Sequence, residues 1–333
     1  MGLFSKREKP DDGDAESTAA GDAPSSAANS ATGSASSTPS TAGSVPSDAI
    51  ANVTALAQLR FSGLGLPVQV DPETAGSDTV LVGEDGSRYP LYNLLARTAN
   101  LTGEPLMLAI MDHVDTIVAA RSEAAVGDLS DEEFRALVRT RVVRADTIDE
   151  STSYAIAVSA DLACVLCLDF PSSVTFLTDA DLAGRDIDDL FAVGLRNVMA
   201  EPIQLVDEAA PGVTRFVGDS FFTASKMLGM SQLIAEHLPA ASHGVFFGVP
   251  NRHLIYTVAP TSMDFQQQLT TLATLVAGNA RTSEDAGGGL SPHIFIWRAG
   301  EIELAGVVDA AGKLQMHGQG RTLEMLEELT ALG

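Results

Sequence analysis

Apolar and polar positions along the chain follow two different periods, and both begin only near Ser47. From residue 10 to residue 47 the run "PDDGDAESTAAGDAPSSAANSATGSASSTPSTAGSVPS" holds one large aliphatic residue, Val45, among Ala, Ser, Thr, Gly, Pro and acids. Ordering such a segment costs roughly 1 to 2 kcal/mol per residue in backbone entropy, with little apolar burial to offset it. A disordered tail is therefore expected over residues 1–47.

Beyond it the pattern predicts strands and helices in alternation. "SDAIANVTALAQLRF" reads as a helix opened by Ser47 or Asp48. "PVQVD" and "TVLVGEDGSRYPLY" read as strands, with Asp85-Gly86 as a hairpin turn. "EPLMLAIMDHVDTIVAAR" has apolar residues three and four apart, the spacing of an amphipathic helix. "SDEEFRALVRTR" is expected to be a second helix, capped by Ser130 or Asp131 with acids in its first turn.

The later part predicts strands in "YAIAVSADLACVLCLDF" and "SVTFLT", then a helix "DLAGRDIDDLFAVGLRNVMA" introduced by Asp179 or Asp181. Strands "PIQLVD" and "VTRFVG" lead into a helix beginning at "GDSFFTASKMLGMSQL". "GVFFGVPNRHLIYTVAP" turns at Pro250-Asn251-Arg252 before the helix "SMDFQQQLTTLATLVAG", and "HIFIWRAGEIELAGVV" turns at Ala299-Gly300 before "GRTLEMLEELTAL". A unit of strand, turn, strand and helix thus recurs at about 67–97, 154–199, 202–238, 244–280 and 293–331. Its periods are too unequal for a solenoid. Repeated hairpin-plus-helix units imply an α+β fold, largely antiparallel sheet with helices packed on it. Two subdomains are expected, a helix-rich α/β part over 48–150 and an α+β part over 151–333.

Charge and composition narrow the function classes. Hydrophobic residues make up 45% of the 333 positions but aromatics only 5%, so the core must rest on aliphatic side chains. With 44 acids against 20 bases the net charge is −24, a field that repels phosphate backbones and anionic lipid. Nucleic-acid binding is not expected. Neither is stable membrane insertion, because no run approaches the roughly 18 apolar residues a span requires. "MGLFSKREKP" is basic without an apolar run after it, unlike a secretory signal, and Lys6 breaks the myristoylation pattern. Alanine-rich, arginine-over-lysine usage fits a GC-rich bacterial coding sequence.

Cys164 and Cys167 in "ADLACVLCLDF" have metal-like spacing, yet their apolar flanks read as a buried strand. Residues three apart on a strand face opposite sides, so two inert core thiols are expected. A chain without a disulfide framework fits the cytoplasm.

The motifs "VTFLTDADL", "LFAVGLRNV", "GDSFFTASKMLGMSQL", "GVFFGVPNRHLIYTV" and "IFIWRAGEIEL", in that order, resemble the bacterial YtpQ-like family of proteins of unknown function. The resemblance covers roughly residues 154–307 and rests on Asn197, on Ala224-Ser225 followed by a basic residue, and on Val249-Pro250. Thr223 stands where members carry an acid. The resemblance implies a soluble bacterial protein of mixed α+β fold and supplies no catalytic residues.

Chemistry-bearing candidates are few. Asp219 or Ser220 can cap the helix that follows, worth about 1 kcal/mol. Ala224, Met227, Leu228, Ile234 and Leu238 then form its buried stripe. That leaves Ser225 and Lys226, the latter the only lysine between Lys9 and Lys313. A helix N-terminus with a hydroxyl and an ammonium can hold an anion, and the Asn251-Arg252-His253 turn can add a bidentate arginine. A serine-lysine hydrolase is disfavoured, since adjacent helical residues point about 100° apart and neither S-x-x-K nor G-x-S-x-G surrounds Ser225. Gly63 and Gly65 lack the third glycine of a dinucleotide loop, there is no Walker A sequence, and no cofactor is expected. Asp112, His113 and Asp115 do not share one helix face as metal ligands would. Two readings follow. A non-enzymatic binding or scaffold protein with a protein partner is the first, and an enzyme or sensor of a small anionic ligand near Lys226 and Arg252 is the second. The sequence does not decide whether the protein is an enzyme, nor its oligomeric state.

Overall fold

The computed structural model describes residues 47–238, 241–262, 265–284, 288–309 and 313–332, so the tail expected over 1–47 lies almost wholly outside it. The first unit contains α1 (Ser47–Gly63), β1 (Val68–Val70), β2 (Val80–Gly83), β3 (Arg88–Pro90), α2 (Tyr92–Thr98) and α3 (Gly103–Ala120). Its three strands form an antiparallel sheet in chain order. The turn expected at Asp85-Gly86 is there, with Gly86 at φ 81°, a backbone conformation that glycine adopts without steric cost. Phe61, Leu81, Leu91, Leu94, Ile110 and Val114 close a core of this unit's own. Arg60 pairs with Asp115 at 2.6 Å and Arg121 with Asp85 at 2.6 Å, tying α3 to α1 and to the hairpin.

Ser130 opens α4 (Asp131–Leu137) with a complete capping box to Glu133, as "SDEE" implied. The helix does not continue through "VRTR". Val138 leaves helical geometry and β4 (Val138–Arg144) begins, because Val138, Thr140 and Val142 alternate with arginines at the strand period and pair along β6. This strand belongs to a sheet of β4, β5 (Ile156–Ala157), β6 (Leu162–Asp169) and β7 (Val174–Phe176). Val126 and Leu129 already pack on the second core. The change of core therefore falls between residues 118 and 126, not at the expected 150. Glu123 bridges the units, accepting from the Ser172 amide at 2.7 Å and from the Ser173 hydroxyl.

Strand β6 is buried on both faces over seven residues, which accounts for its unbroken apolar run. Cys164 and Cys167 are both free and buried on it, and burial pushes the Cys167 thiol up to about 12 and Cys164 higher still. Neither thiol should react with a maleimide in the folded chain, and both should titrate fully in denaturant. Native labelling at the rate of a free thiol would contradict this placement.

Helix α5 (Ile187–Ala200) starts later than the sequence implied. Asp186, not Asp179 or Asp181, caps it by accepting from the Asp189 amide at 3.1 Å. Gly184 at φ 78° breaks the preceding segment, and Asp179 instead accepts from the Ser153 and Tyr154 amides.

The remaining strands, β8 (Leu205–Ala210), β9 (Val213–Val217), β10 (Val245–Asn251), β11 (Leu254–Val258), β12 (Ile294–Arg298), β13 (Glu301–Val308) and β14 (Leu314–Met316), form one antiparallel sheet in the order β14-β13-β12-β10-β11-β9-β8. Its strands obey the period of two. Val245, Phe247, Val249, Ile255 and Phe295 face the core shared with β6 and α5. Phe246, Leu254, Tyr256, Ile294 and Ile296 face the other core, with α7 (Gln266–Glu284) and α8 (Gly320–Leu332) against it. Helix α6 (Met230–His237) lies on the first side. Ala299 and Gly300 both take positive φ, 52° and 89°, as a tight two-residue hairpin requires. The chain is thus an α+β protein, with antiparallel sheets and helices packed on them. Among the described residues no helix is long and apolar enough to cross a membrane.

Candidate functional site

The stretch 218–229 is not the head of a helix. Residues 218–223 make turns and Ala224–Gly229 forms a 3-10 segment before α6 begins. All five residues from Ala224 to Leu228 are buried, so the segment is enclosed on every side, and Ser225 and Lys226 are each only 1% exposed. The expected stripe of Ala224, Met227, Leu228 and Leu238 is buried, with Ile234 partly so.

Each polar group of this segment has a structural partner. The Ala224 amide donates to the Arg252 carbonyl at 3.0 Å, holding the tip of the β10–β11 hairpin. Ser225 Oγ accepts from the Val142 amide at 2.9 Å, satisfying a β4 donor that β6 does not reach. Lys226 Nζ donates to the carbonyls of Val198 at 2.6 Å, Glu201 at 2.7 Å and Met199 at 3.2 Å. These oxygens lie where Pro202 ends α5, the Val198 one also accepting from the Glu201 amide at 3.2 Å, and a cation there meets the negative end of the helix dipole. Burial lowers the Lys226 pKa, and the Glu201 and Glu236 charges oppose that shift. With three acceptors around three donors, Lys226 is a buried helix cap and offers nothing to a ligand. Ser220 Oγ accepts from the Phe222 amide at 3.0 Å and donates to Glu201, so its capping serves a turn. Asp219 is exposed, and its amide donates to Gln204 Oε1 at 2.9 Å.

The hairpin tip does come to this segment. Asn251 Oδ1 accepts from the His253 amide at 2.9 Å and Asn251 Nδ2 donates to Ser283 Oγ at 2.9 Å, which fixes the turn. His253 Nδ1 lies 3.1 Å from the Gly218 carbonyl, and its Nε2 lies 3.1 Å from Arg252 Nε. Those contacts define a neutral ring, Nδ1 protonated and Nε2 accepting. Burial lowers the His253 pKa and Arg252 lowers it further, in keeping with that state.

The unforeseen member of the cluster is Arg141. On β4 it sits two residues from Arg139 and shares its face, opposite Val165, with Cys167 and Phe176 further along the same side. Its guanidinium lies 5.0 Å from the centroid of Phe176 and 5.9 Å from that of Phe222. Arg252 lies 4.3 Å from the centroid of Phe221. Burial lowers the Arg252 pKa, and the Arg141 charge lowers it further, so the two cations feel one another. Asp169 and Glu201 also face this region, but Arg139 pairs with both, at 3.6 and 2.8 Å. Among the described residues neither Arg141 nor Arg252 has a carboxylate within ion-pair distance, although most other arginines do. Arg196 and Arg281, the other two without one, are exposed.

The trio on α3 does not converge. Asp112 pairs with Arg97 and Asp115 with Arg60, while His113 turns inward and its Nε2 has no partner. With this geometry in hand, no family model, curated protein or solved structure matches the chain.

Proposed function

We propose that the protein works by binding an anionic ligand on the surface between Arg141 and Arg252, with Ser225 and Lys226 as the scaffold beneath it. The observation that carries this reading is the pair of half-buried guanidinium groups, each positioned by aromatic rings and neutral donors or acceptors instead of a carboxylate. Two like charges held partly out of water disfavour the unliganded state, and an anion reverses that. Thermal melts at constant ionic strength, with phosphate, sulfate and carboxylate salts, test it. At tenfold excess over its Kd a bound anion adds about 1.4 kcal/mol of stability. That gain should vanish in Arg252→Gln and Arg141→Gln. Equal melting of wild type and both variants in every salt would remove the reading.

A second reading, a non-enzymatic scaffold for a protein partner, draws on Phe176 and Phe221, which are 44% and 43% exposed beside these arginines. Arginine and aromatic side chains dominate interface hot spots. A partner recovered by cross-linking with wild type but not with Phe221→Ser would favour it. Membership of the YtpQ-like family is part of the same proposal, supported by motif residues that sit at joints of the fold. Asn197 Nδ2, for example, donates to the Arg135 and Val138 carbonyls at 2.9 Å each, where α4 passes into β4. A cytoplasmic setting is supported by the two unpaired thiols.

A further inference from the structure

We propose that the group taken between Arg141 and Arg252 is the dianion of a phosphate monoester whose organic part lies against Phe176 or Phe221. This rests on the anion-binding reading above and adds the charge and the body of the ligand.

The charge follows from counting. Two guanidinium groups from separate elements, β4 and the β10–β11 turn, stand half-buried without a carboxylate among the described residues. A single carboxylate neutralises one of them and leaves the other facing its like. A phosphate monoester carries about −1.5 to −2 at neutral pH and neutralises both. Its three terminal oxygens also suit two planar donors, since arginine binds phosphate through parallel N–H bonds.

Arg252 keeps free donors, whereas Arg141 also lies within hydrogen-bonding reach of the neutral Cys167 thiol. Arg252 commits Nε to His253 at 3.1 Å, which leaves both of its terminal nitrogens without a partner among the described residues. Phe221 under Arg252, with Phe176 and Phe222 about Arg141, restricts the planes of both groups, so little conformational freedom is lost on binding. Because the groups in contact with these arginines are neutral, positioning them does not use their charge in an ion pair; the Asp169 carboxylate, paired with Arg139, also feels Arg141. The body follows from exposure: Phe176 and Phe221 are 44% and 43% exposed next to the cations, apolar surface that the guanidinium groups leave uncovered. A ligand of phosphate alone would leave both faces in water, whereas an ester with an aromatic or aliphatic body covers one of them.

Asp285, outside the described residues, stands three positions in sequence before Gly288, whose carbonyl accepts from the Arg252 amide at 3.3 Å. It enters the test as a control.

Isothermal titration of the full chain with phenyl phosphate, inorganic phosphate and benzoate, at equal ionic strength and pH 7.5, reads the proposal directly. Phenyl phosphate should bind about tenfold or more tighter than benzoate, which has the same ring but one charge, and tighter than inorganic phosphate, which has no ring. Arg141→Gln and Arg252→Gln should each weaken phenyl phosphate about tenfold or more, with Arg252→Lys in between because lysine keeps the charge and loses the fork. Far-ultraviolet circular dichroism identical to wild type shows that these variants fold. A phosphotyrosyl peptide that binds more tightly than phenyl phosphate assigns the ester to a modified protein, and equal binding assigns it to a small molecule; either supports the site. Benzoate equal to phenyl phosphate, with both dependent on the arginines, overturns the dianion while the anion-binding reading stands. No arginine-dependent binding of any probe overturns both. A wild type that binds nothing beside an Asp285→Asn variant that binds phenyl phosphate also overturns the proposal, and makes Asp285 the native counter-ion.

Discussion

Lys226→Ala is expected to destabilise the protein by about 3 to 5 kcal/mol, more than any substitution of the exposed patch. Two costs add. The side chain is 1% exposed, so its loss opens a cavity, and large-to-small core changes of this kind cost about 2 to 5 kcal/mol. Its ammonium is also a donor for the Val198, Met199 and Glu201 carbonyls; Val198 keeps the Glu201 amide, and each oxygen left unsatisfied at this partly buried helix end costs about 1 to 3 kcal/mol. Water entering the cavity recovers part of the second cost. Lys226→Met separates the two, since it keeps the volume and removes the donor, and should cost about 2 to 3 kcal/mol. For a chain of this size each kcal/mol lowers Tm by about 2 to 4 °C, so a thermal melt resolves both variants. Where it still folds, Lys226→Met should keep the response to anions. A Lys226→Ala protein that melts with the wild type and loses that response would restore the ligand role its sequence suggested.

The sequence suggests a ligand role for Lys226 through one assumption about local structure. The acid, hydroxyls and lysine of "GDSFFTASKML" read as the first turns of an α-helix, where Ser225 and Lys226 point about 100° apart and lie off the buried stripe. In the 3-10 segment they lie with the buried residues, and nothing in a single sequence distinguishes a six-residue 3-10 run from a helix start. Arg141 is hidden in the sequence for a related reason. Reading "VRTR" as the end of the helix opened at Ser130 turns Arg139 and Arg141 to different faces, whereas on a strand they share a face and Val138, Thr140 and Val142 share the other. The alternation was legible in the letters and outweighed by the strong cap at Ser130. Features fixed by near neighbours were read correctly. The turns at Asp85-Gly86 and Ala299-Gly300 and the double-sided burial of "LACVLCL" depend on backbone sterics and period, and they hold. What the sequence could not supply was which distant groups meet. The 218–224 loop and the Arg252 turn did converge, through the Ala224 and Gly218 amides on the hairpin carbonyls, but Lys226 leaves that meeting point toward α5.

The second large effect is expected from Gly194→Ala, and its sign is opposite to helix propensity. Gly194 lies inside α5, where alanine is ordinarily better by about 0.8 to 1 kcal/mol. Here α5 crosses β4 so closely that a Cβ would stand 2.7 Å from the Thr140 amide nitrogen and from its Oγ1, and 2.9 Å from the Arg139 carbonyl carbon. The first and last of these are backbone atoms of a strand hydrogen-bonded to β6 along its length, so the clash cannot be relieved by turning a side chain. Helix and strand must separate, at the expense of the Thr140 hydroxyl bond to the Phe191 carbonyl and the packing around it. Overpacking of this kind costs about 1 to 3 kcal/mol, beyond the recovered propensity. Gly278→Ala is the control. That glycine is also inside a helix, α7, and an added Cβ meets nothing within 4 Å, so alanine should stabilise by up to about 1 kcal/mol. Urea midpoints that move in opposite directions for the two variants would tie the effect to the α5–β4 contact. Because Arg139 and Arg141 stand on either side of Thr140, displacement of β4 also draws Arg141 away from Phe222 and from Arg252. Gly194→Ala should therefore weaken anion binding as well as the fold, although residue 194 touches no ligand. Gly278→Ala should leave anion binding unchanged.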